Sequence, residues 1–219
     1  MTIRAANVLN ATLVIVGFVV SALLYTRLPE SVPTHWNLRG DPDGFTPKPW
    51  GPFVLPLVMA AMAVIFSAAP RVSPAGFRME SFAPAFRFVK SCALVFLLLI
   101  HVVALLAGIG VSVPMNRVAE GGLGVLVIVV GNYMGKLSKN FFLGIRTPWT
   151  LSNDEVWRRT HRLGGKLFVA AGLVLLGSAV LNTGLVWPLC IAGMALVVPV
   201  VYSFIVFRRI QHQEPDAKS

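Results

Sequence analysis

Six blocks of apolar residues, at 7–25, 52–69, 91–113, 122–137, 166–181 and 186–207, alternate with segments rich in charge, proline and glycine. About 20 helical residues cross the hydrocarbon core of a bilayer, so each block predicts a transmembrane helix. The fourth and fifth are the shortest; if one of them is re-entrant, the count of six falls. Gly131 and Gly135 in the fourth block have GxxxG spacing, which lets a second helix approach closely.

Composition agrees with the pattern. Of 219 residues, 56% are hydrophobic and 13% charged, with a mean hydropathy of +0.74. A soluble domain carries roughly 25% charged residues, so no soluble domain of any size is expected. The formal charge of +10 raises the question of nucleic acid, but the placement of the cations answers it. With the N-terminus in the cytoplasm, 15 of the 19 Lys and Arg residues fall on the inner side and 4 on the outer. That is a positive-inside signature with both termini cytoplasmic, and it draws the chain to anionic headgroups rather than to nucleic acid. The expected fold is all-α, a multi-pass protein of the cytoplasmic membrane with about six spans. Residues 1–70 form a two-span unit with an outer loop at 26–51. Residues 71–121 hold an inner loop and the third span, and 122–219 hold three spans around an inner segment at 136–166. No small-x-small site follows the first block, which reads as a retained span and not as a cleaved leader. Cys92 and Cys190 both lie in apolar blocks and suggest neither a disulfide framework nor a zinc site.

Candidate chemistry concentrates in the two long polar segments. In the outer loop, prolines and glycines favour successive turns, with Asp43-Gly44 suited to positive φ. Trp36, Phe45 and Trp50 would give this loop an apolar underside. The candidate ligand-binding residues here are His35, Trp36, Asn37, Asp41 and Asp43, with Trp36 as anchor. His35, Asp41 and Asp43 are donor types that a divalent metal accepts. A turn-forming Asp-Pro-Asp-Gly accounts for both carboxylates equally well, and no cofactor is required.

In the inner segment, Ser152 with Glu155 is spaced as a capping box. The helix it would start has Val156, Trp157, Thr160 and Leu163 on one face and arginines elsewhere. This predicts an interfacial helix along the cytoplasmic leaflet, with Gly164-Gly165 turning the chain into the fifth span. The candidate partner-binding residues are Asn132, Arg146, Thr147, Trp149, Trp157, Thr160, His161 and Arg162. An aromatic belt with arginines on lipid phosphate explains the same residues on physical grounds alone. The loop at 70–90 is expected to be irregular, with Phe77, Phe82, Phe86 and Phe88 in the interface, and the tail beyond Arg208 to fray.

His101 is an ionisable group within a span and so a functional candidate, though a histidine that bonds a neighbouring helix is the commoner case. Asn10 and Asn132 fit helix packing. No Gly-x-Ser-x-Gly, His-Glu-x-x-His or phosphate-binding glycine loop is present. A membrane-embedded enzyme would have to use His35 with an aspartate, or His161 with Glu155, for acid–base work. A small transporter would need a path past His101.

The run Gly131-Asn132-Tyr133-Met134-Gly135-Lys136, then Gly144-Ile145-Arg146-Thr147-Pro148-Trp149-Thr150, then Glu155-Val156-Trp157-Arg158-Arg159-Thr160-His161-Arg162-Leu163-Gly164-Gly165 closely resembles the signature of the SdpI family. Pro33-Thr34-His35-Trp36-Asn37 with Gly40 and Asp43-Gly44 is similar to the small uncharacterised domain that often precedes it. The resemblance implies a bacterial multi-pass protein that confers immunity to a secreted toxic peptide. It also implies transmembrane signalling, in which the protein captures a cytosolic transcriptional repressor at the membrane.

Overall fold

The computed structural model of the protein describes residues 2–69, 83–140 and 142–213. Along the chain these form α1 (Ile3–Leu24), a 3-10 turn (Tyr25–Arg27), β1 (Ser31–Trp36), β2 (Pro42–Pro47), α2 (Gly51–Ala68), α3 (Ala83–Gly108), α4 (Met115–Met134), α5 (Pro148–Ser152), α6 (Asp154–Leu181) and α7 (Val186–Gln213). All the helices except α5 are long and apolar enough to cross a membrane, six in number. Their side chains are distributed inside out relative to a soluble bundle. Ile15, Val64, Val180 and Leu181 are 60–74% exposed, while Asn10, Ser21, His101, Thr160, Ser178 and Ser203 are buried. Apolar groups face outward, and Asn10, Ser21, His101, Ser178 and Ser203 hydrogen-bond inside, the arrangement a hydrocarbon solvent imposes. The chain is a multi-pass membrane protein.

The helices form two groups: α1, α2 and α3 pack together, α6 packs against both α4 and α7, and α3 joins the groups through α4. In the first group, Pro56 within α2 has no N–H to offer the carbonyl of Pro52. Ser21 Oγ on α1 donates to that carbonyl at 2.6 Å and lies 3.0 Å from His101 Nε2 on α3, which is also 3.1 Å from the Gly17 carbonyl. The span histidine is thus the donor in a knot of three helices.

Three helix boundaries differ from expectation. The fourth span starts at Met115 and takes in Arg117 and Glu120, charges that made it look shorter in the sequence. Arg117 is accommodated because its guanidinium donates to the carbonyls of Ala179 and Val180 at the end of α6, at 2.9 and 3.0 Å. Glu120 is buried. The third helix starts at Ala83, so Pro84 falls in its first turn, where proline is tolerated. Phe86 then lies in the core against Phe66, with ring centroids 5.6 Å apart, instead of in the interface. The parts of the inner loop and the tail at 70–82 and 214–219, Phe77 and Phe82 included, lie outside the described residues.

The third difference is the largest. There is no interfacial helix ending at Gly164-Gly165, because α6 runs unbroken from Asp154 to Leu181. Its 28 residues span about 42 Å, more than the ~30 Å hydrocarbon core, so its first turns stand proud of the membrane as a direct extension of the span. Nor does Ser152 cap it. Asn153 does, accepting from the N–H groups of Glu155 and Val156 at 2.9 and 3.1 Å, while Ser152 closes α5 and Glu155 turns to arginines. The glycines serve packing instead of a turn: a Cβ on Gly165 would stand 2.7 Å from the Gly131 carbonyl.

Candidate functional site

Outside the membrane, the loop at 26–51 is a hairpin in which Ser31 pairs with Pro47 and Trp36 with Pro42, with an irregularity around His35. Its tip is tied by Asn37, whose Oδ1 accepts from the N–H groups of Arg39 and Asp41 at 2.8 and 3.1 Å. Gly40 there has φ +90 and no room for a side chain beside Asn116 of α4. The face of the hairpin that packs on the helices is aliphatic. Leu28 and Val32 seal onto Leu105 of α3, while Phe45 and Trp50 are 55% and 69% exposed.

Of the outer candidates, the structure brings His35 and Asp43 together, Nδ1 to Oδ1 at 2.5 Å and open to solvent. Asp41 turns instead to the Asn37 amide at 3.4 Å, and Trp36 is half-buried at the end of β1. Among the described residues no three His, Cys, Asp or Glu side chains come together as a metal would need.

On the cytoplasmic side, the segment between α4 and α6 folds as a cap over the helix ends. Asn140, fully buried, organises its first turn: Oδ1 accepts from Phe142 and Leu143 N–H at 2.8 and 2.7 Å, and Nδ2 donates to the carbonyls of Ser138 and Leu143. Gly144 follows at φ +109, pressed against the ring of His161 where a Cβ would collide. His161 Nε2 accepts from the Ile145 N–H at 2.9 Å and Nδ1–H donates to the Trp157 carbonyl at 2.8 Å, which fixes a neutral imidazole with its proton on Nδ1. The ring stacks on Trp157 with centroids 3.9 Å apart. Trp157 Nε1–H in turn donates to the Leu137 carbonyl at 2.7 Å, and its indole packs with Phe86 and Ala69. The cap is therefore bolted to the first helix group as well as to the second.

Thr147 and Thr150 cap α5 reciprocally, and Thr150 Oγ1 reaches back to the Ile145 carbonyl at 2.9 Å. The indole N–H of Trp149 donates to Ser203 Oγ of α7, and its ring meets Phe204 edge-on at 5.3 Å. Of the inner candidates, Thr147, Trp157, Thr160 and His161 are buried and Trp149 is half-buried; Thr147, Trp149, Trp157 and His161 fasten the cap through their hydrogen bonds, and the Thr160 hydroxyl is buried without a partner. Asn132, Arg146 and Arg162 are exposed. Arg146 borders an apolar cavity of about 400 Å³ lined by Ile65, Phe66, Phe86 and Phe142. His161 and Glu155 do not form an acid–base pair: Glu155 is held by Arg158 and Arg159, the latter at 2.6 Å. Asn140, Gly144 and Ser203 were missed by sequence reasoning. An isolated Asn or Gly gives no periodic signal, and Ser203 lies 54 residues from its partner.

Residues 136–203, the cap together with α6 and most of α7, match the SdpI/YfhL protein family. They belong to it. Residues 12–60, from α1 through the hairpin into α2, match a Domain of unknown function (DUF1648). The Immunity protein SdpI of Bacillus subtilis (strain 168) is 28% identical over 169 residues, which cover 77% of this chain and 79% of that protein. No solved structure matches the chain. The SdpI match thus takes in the cytoplasmic cap and the spans that follow it, and the preceding match the outer hairpin with most of its two flanking spans.

Proposed function

We propose that this SdpI-type membrane protein confers immunity on its cell against a secreted toxic peptide, with the outer hairpin as the receptive surface. The likeness to an immunity protein over more than three-quarters of the chain carries the reading. The hairpin supports it: Leu38, Phe45 and Trp50 are each more than half exposed beside the His35–Asp43 pair, an aromatic and polar mixture suited to a peptide. A cytosolic regulator, as the family resemblance implies, would meet the cap at its exposed Arg146. The buried Trp157 and His161 then act by holding that surface in shape. Signalling across the bilayer requires a ligand that prefers one of two states, and the cap, fastened to both helix groups, is the element on which such a preference would act.

The test is complementation of a Bacillus subtilis strain lacking its Immunity protein SdpI, challenged with the toxin against which that protein gives immunity. Survival restored by this chain, and lost with Trp36→Ala or Phe45→Ala at equal membrane abundance, supports the reading. No protection from an abundant, folded protein overturns the immunity role. Protection untouched by both substitutions removes the hairpin from it. For the inner side, a photoreactive residue at position 146 crosslinks a soluble protein if a regulator docks there; lipid adducts alone would dismiss capture.

A further inference from the structure

The close seam between α4 and α6 leaves a groove on its outer flank, with a volume of about 580 Å³. Gly131, Gly135 and Gly165 line its floor, and Asn132, Lys136, Arg162 and Lys166 line its cytoplasmic end. Arg162 and Lys166 are four residues apart on α6 and share a helix face, while Asn132 on α4 and Lys136 just past the end of that helix line the same end of the groove. Along α6 the same face continues toward mid-membrane as Val169, Ala170 and Leu173. Read from the cytoplasm inward, the groove is cationic and then apolar.

Among the described residues no carboxylate lines the groove. Asp154 is taken by Lys139 at 2.6 Å and Glu155 by Arg158 and Arg159. Lys136 lies over the Tyr133 ring, 5.3 Å from its centroid, while Arg162 and Lys166 make no ion pair or hydrogen bond with the described residues. All three cations are exposed. We infer that the groove binds an anionic phospholipid of the cytoplasmic leaflet, its headgroup phosphate held by Lys136, Arg162 and Lys166 with the Asn132 amide beside them. One acyl chain would run along Val169, Ala170 and Leu173. Guanidinium and ammonium groups are suited to phosphate oxygens, and the head-to-tail order of the groove suits a lipid better than a soluble anion, which has no use for its apolar half.

The experiment is native mass spectrometry of the full-length protein from nanodiscs of phosphatidylcholine doped with phosphatidylglycerol. The wild type should retain phosphatidylglycerol in preference to phosphatidylcholine, and excess inorganic phosphate should not displace it. Arg162→Gln with Lys166→Gln should lower occupancy by about fivefold per cation removed, the factor equivalent to the ~1 kcal/mol each basic residue contributes near an anionic surface. Gly135→Leu, which fills the floor without changing charge and whose Cβ has nothing nearer than Arg162 at 3.8 Å, should also lose lipid. Arg208→Gln with Arg209→Gln removes the same charge elsewhere and should retain it. Equal loss in the two charge variants would reduce the groove to general surface electrostatics, and displacement by phosphate would show a free-anion site; either overturns the proposal.

Discussion

Gly131 on α4 and Gly165 on α6 face one another with no side chain between. A Cβ on the first would stand 2.8 Å from the Gly165 carbonyl, and one on the second 2.7 Å from the Gly131 carbonyl. Seven residues further along each helix, in opposite senses, Gly124 and Gly172 repeat the arrangement at 2.8 and 2.6 Å. Backbone contact at two points a heptad apart fixes the register of an antiparallel pair, and in lipid such close packing is the main source of helix association.

Substitution at the seam should therefore separate from substitution elsewhere on the same helix. Gly131→Ala and Gly165→Ala should each destabilise by about 1–3 kcal/mol, the usual cost of overpacking. Gly177→Ala on α6, where nothing lies within 4 Å, should be neutral or gain up to ~1 kcal/mol from helix propensity. Thermal unfolding in a mild detergent reads the difference. Equal effects at the three positions would mean that propensity, not contact, governs α6.

The indole of Trp157 offers a second separation. Trp157→Phe keeps most of the packing with Phe86 and Ala69 but leaves the buried Leu137 carbonyl without its donor, a loss of about 1–3 kcal/mol. Trp157→Ala adds a cavity and should cost roughly 3–5 kcal/mol. Limited proteolysis between residues 136 and 153 from the cytoplasmic side should speed up in that order. Unaltered cleavage in both variants would place Trp157 at a surface, as a belt or capture residue.

How much of this was readable in advance follows from the length scale of each signal. The six spans are long apolar runs, and a count from the sequence found them. The closeness of α6 to α4 is half visible, since Gly131 and Gly135 have the spacing for it, whereas the partner glycines at 165 and 172 lie more than 30 residues from Gly131 and Gly164-Gly165 reads locally as a turn. The same short-range reading chose Ser152 as a cap, because Ser-x-x-Glu is a strong local pattern; Asn153 wins because the chain has already spent Ser152 on closing α5. The inner residues stand out in the sequence by type, but their burial is not legible there. Trp, Thr and His serve a surface or a core equally well until Leu137, Ile145 and Gly144 are known to lie against them.

Ser21 and Pro56 should be coupled, although they do not bond to each other. Ser21→Ala removes the hydroxyl that satisfies the Pro52 carbonyl at 2.6 Å and the partner 3.0 Å from His101. Hydrogen bonds between membrane helices are worth roughly 0.6–1.7 kcal/mol, and the single variant should lose about that. Pro56→Ala returns to α2 the N–H that the Pro52 carbonyl lacks, so Ser21→Ala should cost less in that background. A double-mutant cycle by unfolding measures the coupling. Additive losses would show that the proline leaves no acceptor for Ser21 to fill.

The outer hairpin depends on its tip more than on the exposed His35–Asp43 pair. Asn37→Ala deletes acceptors for two backbone N–H groups, and Gly40→Ala forces a Cβ into a left-handed φ of +90 and to 3.1 Å from Asn116. Each should loosen the hairpin by about 1–2 kcal/mol. His35→Asn, by contrast, breaks a pair whose partners are 71% and 44% exposed, and such pairs contribute at most about 1 kcal/mol. Hydrogen exchange over residues 31–47 should therefore rise strongly in the first two variants and slightly in the third. If His35→Asn proves as disruptive as Asn37→Ala, the His35–Asp43 contact is a structural fastening of the hairpin; if it leaves exchange unchanged but abolishes protection in the complementation assay, the pair is spent on recognition instead.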